Sequence, residues 1–136
     1  LKSLTYKMPR LKYPTVEEII TTNKRVLEVH RAKKADKHEL LGTEHQILEI
    51  INKAKRKKGN IYLKSAVLLR ELTISHLFAS GNRRTAYLVT NGFIYKNKKK
   101  DIEKTEEEVE IFKKIRYRDI SDEELAKWIK NEKKKK

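Results

Sequence analysis

The chain has 136 residues, of which 38% are hydrophobic, enough for one hydrophobic core and therefore one domain. It contains no cysteine, which excludes disulfides, thiolate metal sites and cysteine nucleophiles. Its 34 lysines and arginines against 19 acids give a formal net charge of +15, which attracts anions and favours only non-specific nucleic-acid binding. No apolar run approaches the roughly 20 residues of a membrane-spanning helix, so a cytoplasmic protein without membrane association is expected.

The lysines gather in three clusters, at residues 53–58, 96–100 and 133–136. The clusters lack the interleaved aromatic residues that stack nucleic-acid bases. Abundant Lys and Glu without Cys is also typical of heat-adapted proteins. Two interpretations stay open: a solvated, thermophile-like surface, or electrostatic attraction to a nucleotide, a ribosome-associated target or an acidic protein partner.

The first half of the chain predicts two amphipathic helices. Residues 1–13 are expected to form a poorly ordered lead-in, after which Thr15 and Glu18 form a capping box that starts the first helix. A charged connector at 31–37 precedes the next helix, at 43–57. The inward face of that helix is expected to consist of Ile47, Leu48, Ile50 and Ile51.

The following segment, residues 60–78, is apolar on nearly every face, which is typical of a helix buried at the centre of a domain. His76 extends one of its apolar stripes, so packing is expected to fix the imidazole ring. Another helix is predicted to begin near Asn82 and to stop at Asn91-Gly92. A short extended piece at 93–95 is expected to follow.

Near the end of the chain, Thr105 is predicted to cap a helix whose first turn holds three acids, residues 106–108. These acids could be metal ligands or could complement the positive helix N-terminus. Ser121 and Glu124 form another capping box, ahead of a last helix and a disordered Lys tail at 132–136. The inward face of the last helix is expected to consist of Leu125, Trp128 and Ile129.

Taken together, these patterns predict a single all-α domain over residues 1–136, a bundle of about six helices around a buried central helix. A motif at residues 76–86, His-Leu-Phe-Ala-Ser-Gly-Asn-Arg-Arg-Thr-Ala, is expected at the junction of the fourth and fifth helices. The motif concentrates groups that phosphate chemistry needs, so the functional interpretation depends on it.

Five residues of the motif suit a phosphate site. His76 can take a proton from a hydroxyl at neutral pH. Gly81 lets a ligand approach the free amides that open the next helix, where Asn82 can donate a further hydrogen bond. Guanidinium groups, which bind phosphate oxygens bidentately, are supplied by Arg83 and Arg84. The implied reaction is attack by a hydroxyl on a nucleotide phosphate; the alternative is a structural histidine, a plain turn and a solvated arginine pair.

These residues resemble the signature of the Fic/Doc family, His-x-Phe-x-(Asp or Glu)-(Gly or Ala)-Asn-x-Arg. The matching residues are His76, Phe78, Gly81, Asn82 and Arg84. Thr85-Ala86 continues as in the Doc branch, and Tyr87 stands where Fic enzymes usually carry a second arginine. The likeness extends to the segments at 14–23, 91–93 and 121–129, which are similar to the opening helix, the post-motif turn and the closing helix of Doc-type chains.

The resemblance implies a helical transferase that uses ATP or another nucleoside triphosphate. His76 would be the general base that deprotonates a Ser, Thr or Tyr hydroxyl of a protein substrate, and Phe78 would anchor the loop in the core. The phosphate cradle would consist of Gly81, Asn82, Arg83 and Arg84. Fic members transfer AMP, whereas Doc members transfer phosphate and halt translation as toxins paired with an antitoxin. Residues 32–41 would be the flap that docks the target, unless they form a solvated loop.

Ser80 is the main departure from the family pattern, because a carboxylate that holds Mg²⁺ usually stands there. A hydroxyl brings no charge, and Mg²⁺ prefers carboxylate oxygen. We therefore assign no metal ligand and expect metal assistance to be weak. Another carboxylate could substitute, the reaction could be slow or different, or the chain could bind nucleotide or a protein partner without turnover. A further alternative is a basic, nucleic-acid-associated helical protein in which the motif is incidental.

Overall fold

The computed structural model describes residues 10–29, 37–103 and 107–131. Within these ranges the chain forms six α-helices and no β-strand, which confirms the predicted all-α bundle. The helices are α1 (Val16–Val29), α2 (Glu44–Arg56), α3 (Ile61–Ile74), α4 (Asn82–Lys98), α5 (Glu108–Arg116) and α6 (Asp122–Lys130). The motif lies between the third and fourth described helices, not between the fourth and fifth. No described helix combines the length and the apolar character that crossing a bilayer requires.

Helix α3 packs against four other helices, α2, α4, α5 and α6. Eight of its fourteen residues are buried, and Leu68 and Leu69 are fully enclosed. Burial of a leucine side chain stabilises a fold by about 1.5–3 kcal/mol, so the apolar composition of α3 accounts for its packing. Helix α1 joins the bundle through α4 and α2.

Side-chain caps fix where most of the helices begin. The two predicted capping boxes are confirmed: Thr15 with Glu18 ahead of α1, and Ser121 with Glu124 ahead of α6. A third box, Thr43 with Gln46, precedes α2, and the side chain of Asn60 caps α3. Caps of this kind contribute about 1 kcal/mol each, so the local sequence defines these helix starts.

The predicted stop of α4 at Asn91-Gly92 is wrong. The helix continues to Lys98 because Phe93 and Ile94 extend its buried face, so the extended piece predicted at 93–95 is helical. The side chain of Asn91 binds a different segment: its Oδ1 accepts from the backbone N–H of Ile102 at 2.5 Å.

The inward face predicted for α2 is wrong at one position. Leu48 is 44% exposed, whereas Ile47, Ile50 and Ile51 are buried. The inward face predicted for α6 is confirmed, since Leu125, Trp128 and Ile129 are all buried.

The segment before α1 has no regular secondary structure and packs on α4. The ring of Tyr13 stacks on Phe93 with centroids 5.0 Å apart, and the Asn97 side chain bonds both backbone polar groups of Lys12, at 2.8 and 2.9 Å. Several predicted features lie outside the described residues: most of the lead-in (1–9), most of the connector (31–36), the cap at Thr105 with Glu106, and the Lys tail (132–136).

Candidate phosphate-binding site

Helix α3 ends at Ile74, four residues before the helix end predicted at residue 78, and the turn into α4 follows. In the last turn of α3, the hydroxyls of Thr73 and Ser75 donate to the carbonyls four residues back, at 2.7 and 2.5 Å. His76 follows with a left-handed φ of 46°. This turn directs Leu77 and Phe78 into the core, where they are 1% and 2% exposed. The apolar pattern therefore continues beyond the helix, which explains the prediction of helix through residue 78.

The imidazole of His76 is exposed, so the expectation that core packing fixes its ring is wrong. It forms no hydrogen bond with any described residue. The ring is therefore free to meet a ligand, and its position is set by the backbone turn.

Asn82 holds the turn closed. Its Nδ2 donates to the carbonyl of Phe78 at 2.7 Å, and its Oδ1 accepts from the Phe78 N–H at 3.1 Å. The predicted role was an amide that donates to phosphate. In the structure this amide orients the loop that leads into α4.

The segment before α2 lies along the same turn. The backbone N–H of Leu41 donates to the carbonyl of Leu77 at 2.7 Å, and that of Ala79 donates to Glu39 at 2.9 Å. These bonds form an isolated antiparallel bridge. The described end of the predicted docking segment thus contacts the motif; residues 32–36 lie outside the described ranges.

Asn23 of α1 is fully buried and binds the turn from the other side, a contact that the sequence did not reveal. Its Nδ2 donates to the Ser80 carbonyl at 2.9 Å and to Oγ1 of Thr85 at 3.1 Å, and its Oδ1 lies 2.8 Å from Nδ1 of His38. Because both amide hydrogens are used, the oxygen must accept, and Nδ1 of His38 carries the proton. Burial, together with the charge of Lys24, lowers the pKa of His38 and favours its neutral form.

The N-terminus of α4 lacks a side-chain cap. Gly81 is the N-cap residue, with a left-handed φ of 77°, and no acid stands in the first turn. The opening amides of the helix therefore remain available to an anion. Arg83 and Arg84 are exposed in that first turn and form no ion pair with a described residue. Positive charge at a positive helix end is unfavourable by itself, and a bound anion would relieve it.

One cavity of about 650 Å³ connects these groups. Its lining includes His76, Gly81, Asn82, Arg83 and Arg84, so the structure brings all of the predicted polar site residues together. This volume falls within the range of about 300–1,000 Å³ that is usual for small-molecule sites. Phe78 is not in the lining; it is buried beneath the turn, in the place expected for an anchor.

Two arginines that the sequence analysis missed also line this cavity. Arg116 is the last residue of α5, and Arg118 follows in the turn, with a left-handed φ of 56°. Phe112, one turn earlier on α5, lines the cavity too. The sequence does hold one indication of these two residues. Both basic residues at the end of α5 that reach the cavity are arginines, whereas lysine is the commoner basic residue at the other helix ends of the chain.

The lining does not fit the magnesium ion that the family resemblance implies. Ser80 lines the cavity and is partly buried, but no Asp or Glu does so within the described residues. Glu107, the N-cap residue of α5, and Glu108, in its first turn, are also outside the lining. Nowhere in the described ranges do three His, Asp or Glu side chains meet as a metal site. Of the alternatives that the sequence left open at Ser80, substitution by another carboxylate is therefore not found among the described residues.

Two of the lysine clusters stand at helix C-termini. Lys53 and Lys55 belong to the last turn of α2, and Lys96 and Lys98 to that of α4, where positive charge complements the helix dipole. Lys53 also pairs with Glu71 at 3.3 Å. These contacts favour a stabilised, solvated surface for the two clusters.

The sequence matches no protein-family model, and no curated protein matches it. The resemblance to the Fic/Doc family therefore depends on the sequence residues named above alone. The motif lies between the end of α3 and the uncapped start of α4.

Proposed function

We propose that this chain is a Doc-like transferase of the Fic/Doc family, which moves phosphate or a nucleotide monophosphate from a nucleoside triphosphate to a protein hydroxyl. The proposal includes a cytoplasmic toxin that inhibits translation and is held inactive by an antitoxin. The observation that carries it is the single cavity at which His76, the uncapped start of α4 and the arginine pair of the motif meet. Neither a structural histidine nor a solvated arginine pair requires such a cavity.

In the proposed reaction, the triphosphate lies against the α4 amides, Arg83 and Arg84. His76 accepts the proton of the attacking hydroxyl, whose oxygen forms a new bond to phosphorus. The bond from that phosphorus to its leaving oxygen breaks. Attack at the γ-phosphate releases the nucleoside diphosphate, whereas attack at the α-phosphate releases pyrophosphate. Guanidinium groups stabilise the charge on the leaving phosphates, which is the main protein contribution to phosphoryl transfer.

A second candidate is a family member that binds nucleotide or a protein partner without turnover. The absence of a carboxylate from the described lining of the cavity favours it. Ser80→Asp separates the two candidates, because it restores the missing charge. If transfer appears only in that variant, the natural chain is the binding form.

The proposal is tested by incubating the protein with cell extract and ATP labelled at either the α- or the γ-phosphate. We expect one label to enter a protein band, and the labelled position distinguishes AMP transfer from phosphate transfer. His76→Ala should abolish labelling. The matched control is His45→Ala, which removes an exposed histidine of α2 outside the cavity and should leave labelling unchanged. Equal labelling by wild type and His76→Ala would contradict the assigned base.

A further inference from the structure

The charged side chains that line the cavity are unusual for this chain. The chain has nine arginines among its 34 basic residues, so lysine is by far the commoner. Yet the described lining holds four arginines and neither a lysine nor an acid. An evenly basic surface would present mainly lysine. The guanidinium fork binds phosphate oxygens bidentately, which a lysine ammonium cannot do.

The four guanidinium groups come from two elements. Arg83 and Arg84 belong to the first turn of α4, while Arg116 and Arg118 belong to the end of α5. None forms an ion pair with a described residue. Four like charges around one cavity repel one another, so the arrangement lowers stability unless an anion occupies the cavity.

Arg118 carries a second indication of function. It follows the C-cap of α5 in a turn with two characteristic bonds: its own N–H donates to the Ile115 carbonyl at 3.0 Å, and the Asp119 N–H donates to Lys114 at 2.8 Å. That turn requires a left-handed residue and is usually closed by glycine. An arginine there, strained at φ 56°, places a guanidinium at the cavity.

We infer that this cavity binds the polyphosphate of its ligand without a divalent cation, and that Arg116 and Arg118 provide the positive charge that a metal ion would otherwise bring. The inference rests on the proposed function in that it concerns the same cavity and a phosphate ligand. With no carboxylate in its described lining, the cavity offers a magnesium ion only neutral protein ligands, and four guanidinium groups oppose the ion's charge. The metal-free nucleotide carries two more negative charges than its magnesium complex and is therefore the better ligand.

The test measures binding of ATP and of inorganic tripolyphosphate to the whole protein by calorimetry, in EDTA and in excess MgCl₂. We expect both ligands to bind in EDTA and both to bind more weakly in MgCl₂. Arg116→Ala and Arg118→Gly should each weaken binding by about tenfold or more, because each removes a charge-assisted hydrogen bond. Arg56→Ala, at the end of α2 and outside the cavity lining, removes the same charge and should leave binding unchanged.

The outcomes separate this inference from the proposed function. Binding of ATP that requires Mg²⁺ and is unaffected by Arg116→Ala and Arg118→Gly overturns the inference and leaves the transferase proposal standing. Tripolyphosphate binding in EDTA without ATP binding supports the inference and counts against a nucleotide-dependent enzyme. No tripolyphosphate binding in EDTA overturns the inference. Thermal unfolding of each variant establishes that it is folded, and Arg118→Gly, which relieves backbone strain, should remain folded.

Discussion

His76 and Arg118 both have a left-handed φ, 46° and 56°, and each directly follows the C-cap residue of a helix. Both side chains line the same cavity. Glycine is the usual residue at such positions, because a β-carbon is strained there. Two helix ends thus each have a left-handed residue where glycine is usual, and each presents a polar side chain to the same cavity.

Replacing either residue by glycine should separate stability from function. Left-handed backbone strain costs roughly 1–2 kcal/mol in a residue with a side chain, and the greater flexibility of unfolded glycine offsets part of the gain. We expect His76→Gly and Arg118→Gly to raise the free energy of unfolding by up to about 1 kcal/mol. His76→Gly should also abolish phosphate transfer, and Arg118→Gly should weaken tripolyphosphate binding.

Chemical denaturation measures the stability of both variants, and the transfer and binding assays measure their function. The control is Lys99→Gly, since Lys99 has a similar φ of 57° at the end of α4 but lies outside the cavity lining. It should gain stability without any loss of binding or transfer. If all three glycine variants lost stability, the backbone at these positions would not be strained in the wild type.

Asn23→Ala should destabilise the protein by about 2–3 kcal/mol, because it leaves buried polar groups without partners. The amide binds Ser80, Thr85 and His38, and the residue is fully buried. Because Ser80 belongs to the motif turn, tripolyphosphate affinity should fall too. Calorimetric unfolding and binding measure the two effects. The control is Lys24→Ala, because Lys24 is the exposed neighbour of Asn23, and it should change the free energy of unfolding little.

Gly92→Ala should stabilise α4 by about 0.5–1 kcal/mol, since alanine favours a helix interior over glycine. A β-carbon at Gly92 meets no atom within 4 Å. Gly81→Ala is the contrasting variant: φ is 77°, and the new β-carbon would lie 3.1 Å from Val26 Cγ1. It should lower both stability and tripolyphosphate affinity. Thermal unfolding compares the pair, and stabilisation by Gly81→Ala would contradict the assigned turn.

Helix boundaries are predicted correctly from the sequence where residues close in the chain determine them. They are predicted wrongly where packing against distant parts of the chain determines them. Capping boxes at Thr15 and Ser121 locate two helix starts, because these bonds form between residues three positions apart. The end of α3 is mispredicted, since Leu77 and Phe78 continue the apolar pattern after the backbone has left the helix. At Gly92, burial of the residues that follow outweighs a local stop signal.

The candidate site likewise has one part that the sequence predicts and one part that it does not. Its motif half, from His76 to Arg84, is contiguous in sequence and therefore visible there. The α5 half, Arg116 and Arg118, is contributed through packing of α5 on α3, and nothing local relates it to the motif. The contact of Asn23 with the Ser80 carbonyl spans 57 positions and is equally invisible to spacing.

Asp122→Asn should lower stability at neutral pH by about 1 kcal/mol and have little effect in acid. The carboxylate of Asp122 opens α6, lies 2.8 Å from Nζ of Lys57 and accepts a hydrogen bond from Arg70, so it joins α2, α3 and α6. Burial alone would raise the pKa of Asp122, but the hydrogen bonds and charges of Lys57 and Arg70 bring it below its ordinary value.

Because the folded pKa of Asp122 lies below the unfolded value of about 3.9, the unfolded state binds more protons in that window. The stabilisation is therefore complete above about pH 5 and is lost as the pH falls through the folded pKa. Urea unfolding from pH 7 to pH 2 should show the wild type approaching Asp122→Asn at low pH. The control is Asp119→Asn, because the carboxylate of Asp119 is exposed and forms no ion pair with a described residue. Its free energy of unfolding should differ little from that of the wild type at any pH. If the free energies of unfolding of wild type and Asp122→Asn differed by the same amount at every pH, the stabilisation would not come from the ionised carboxylate of Asp122.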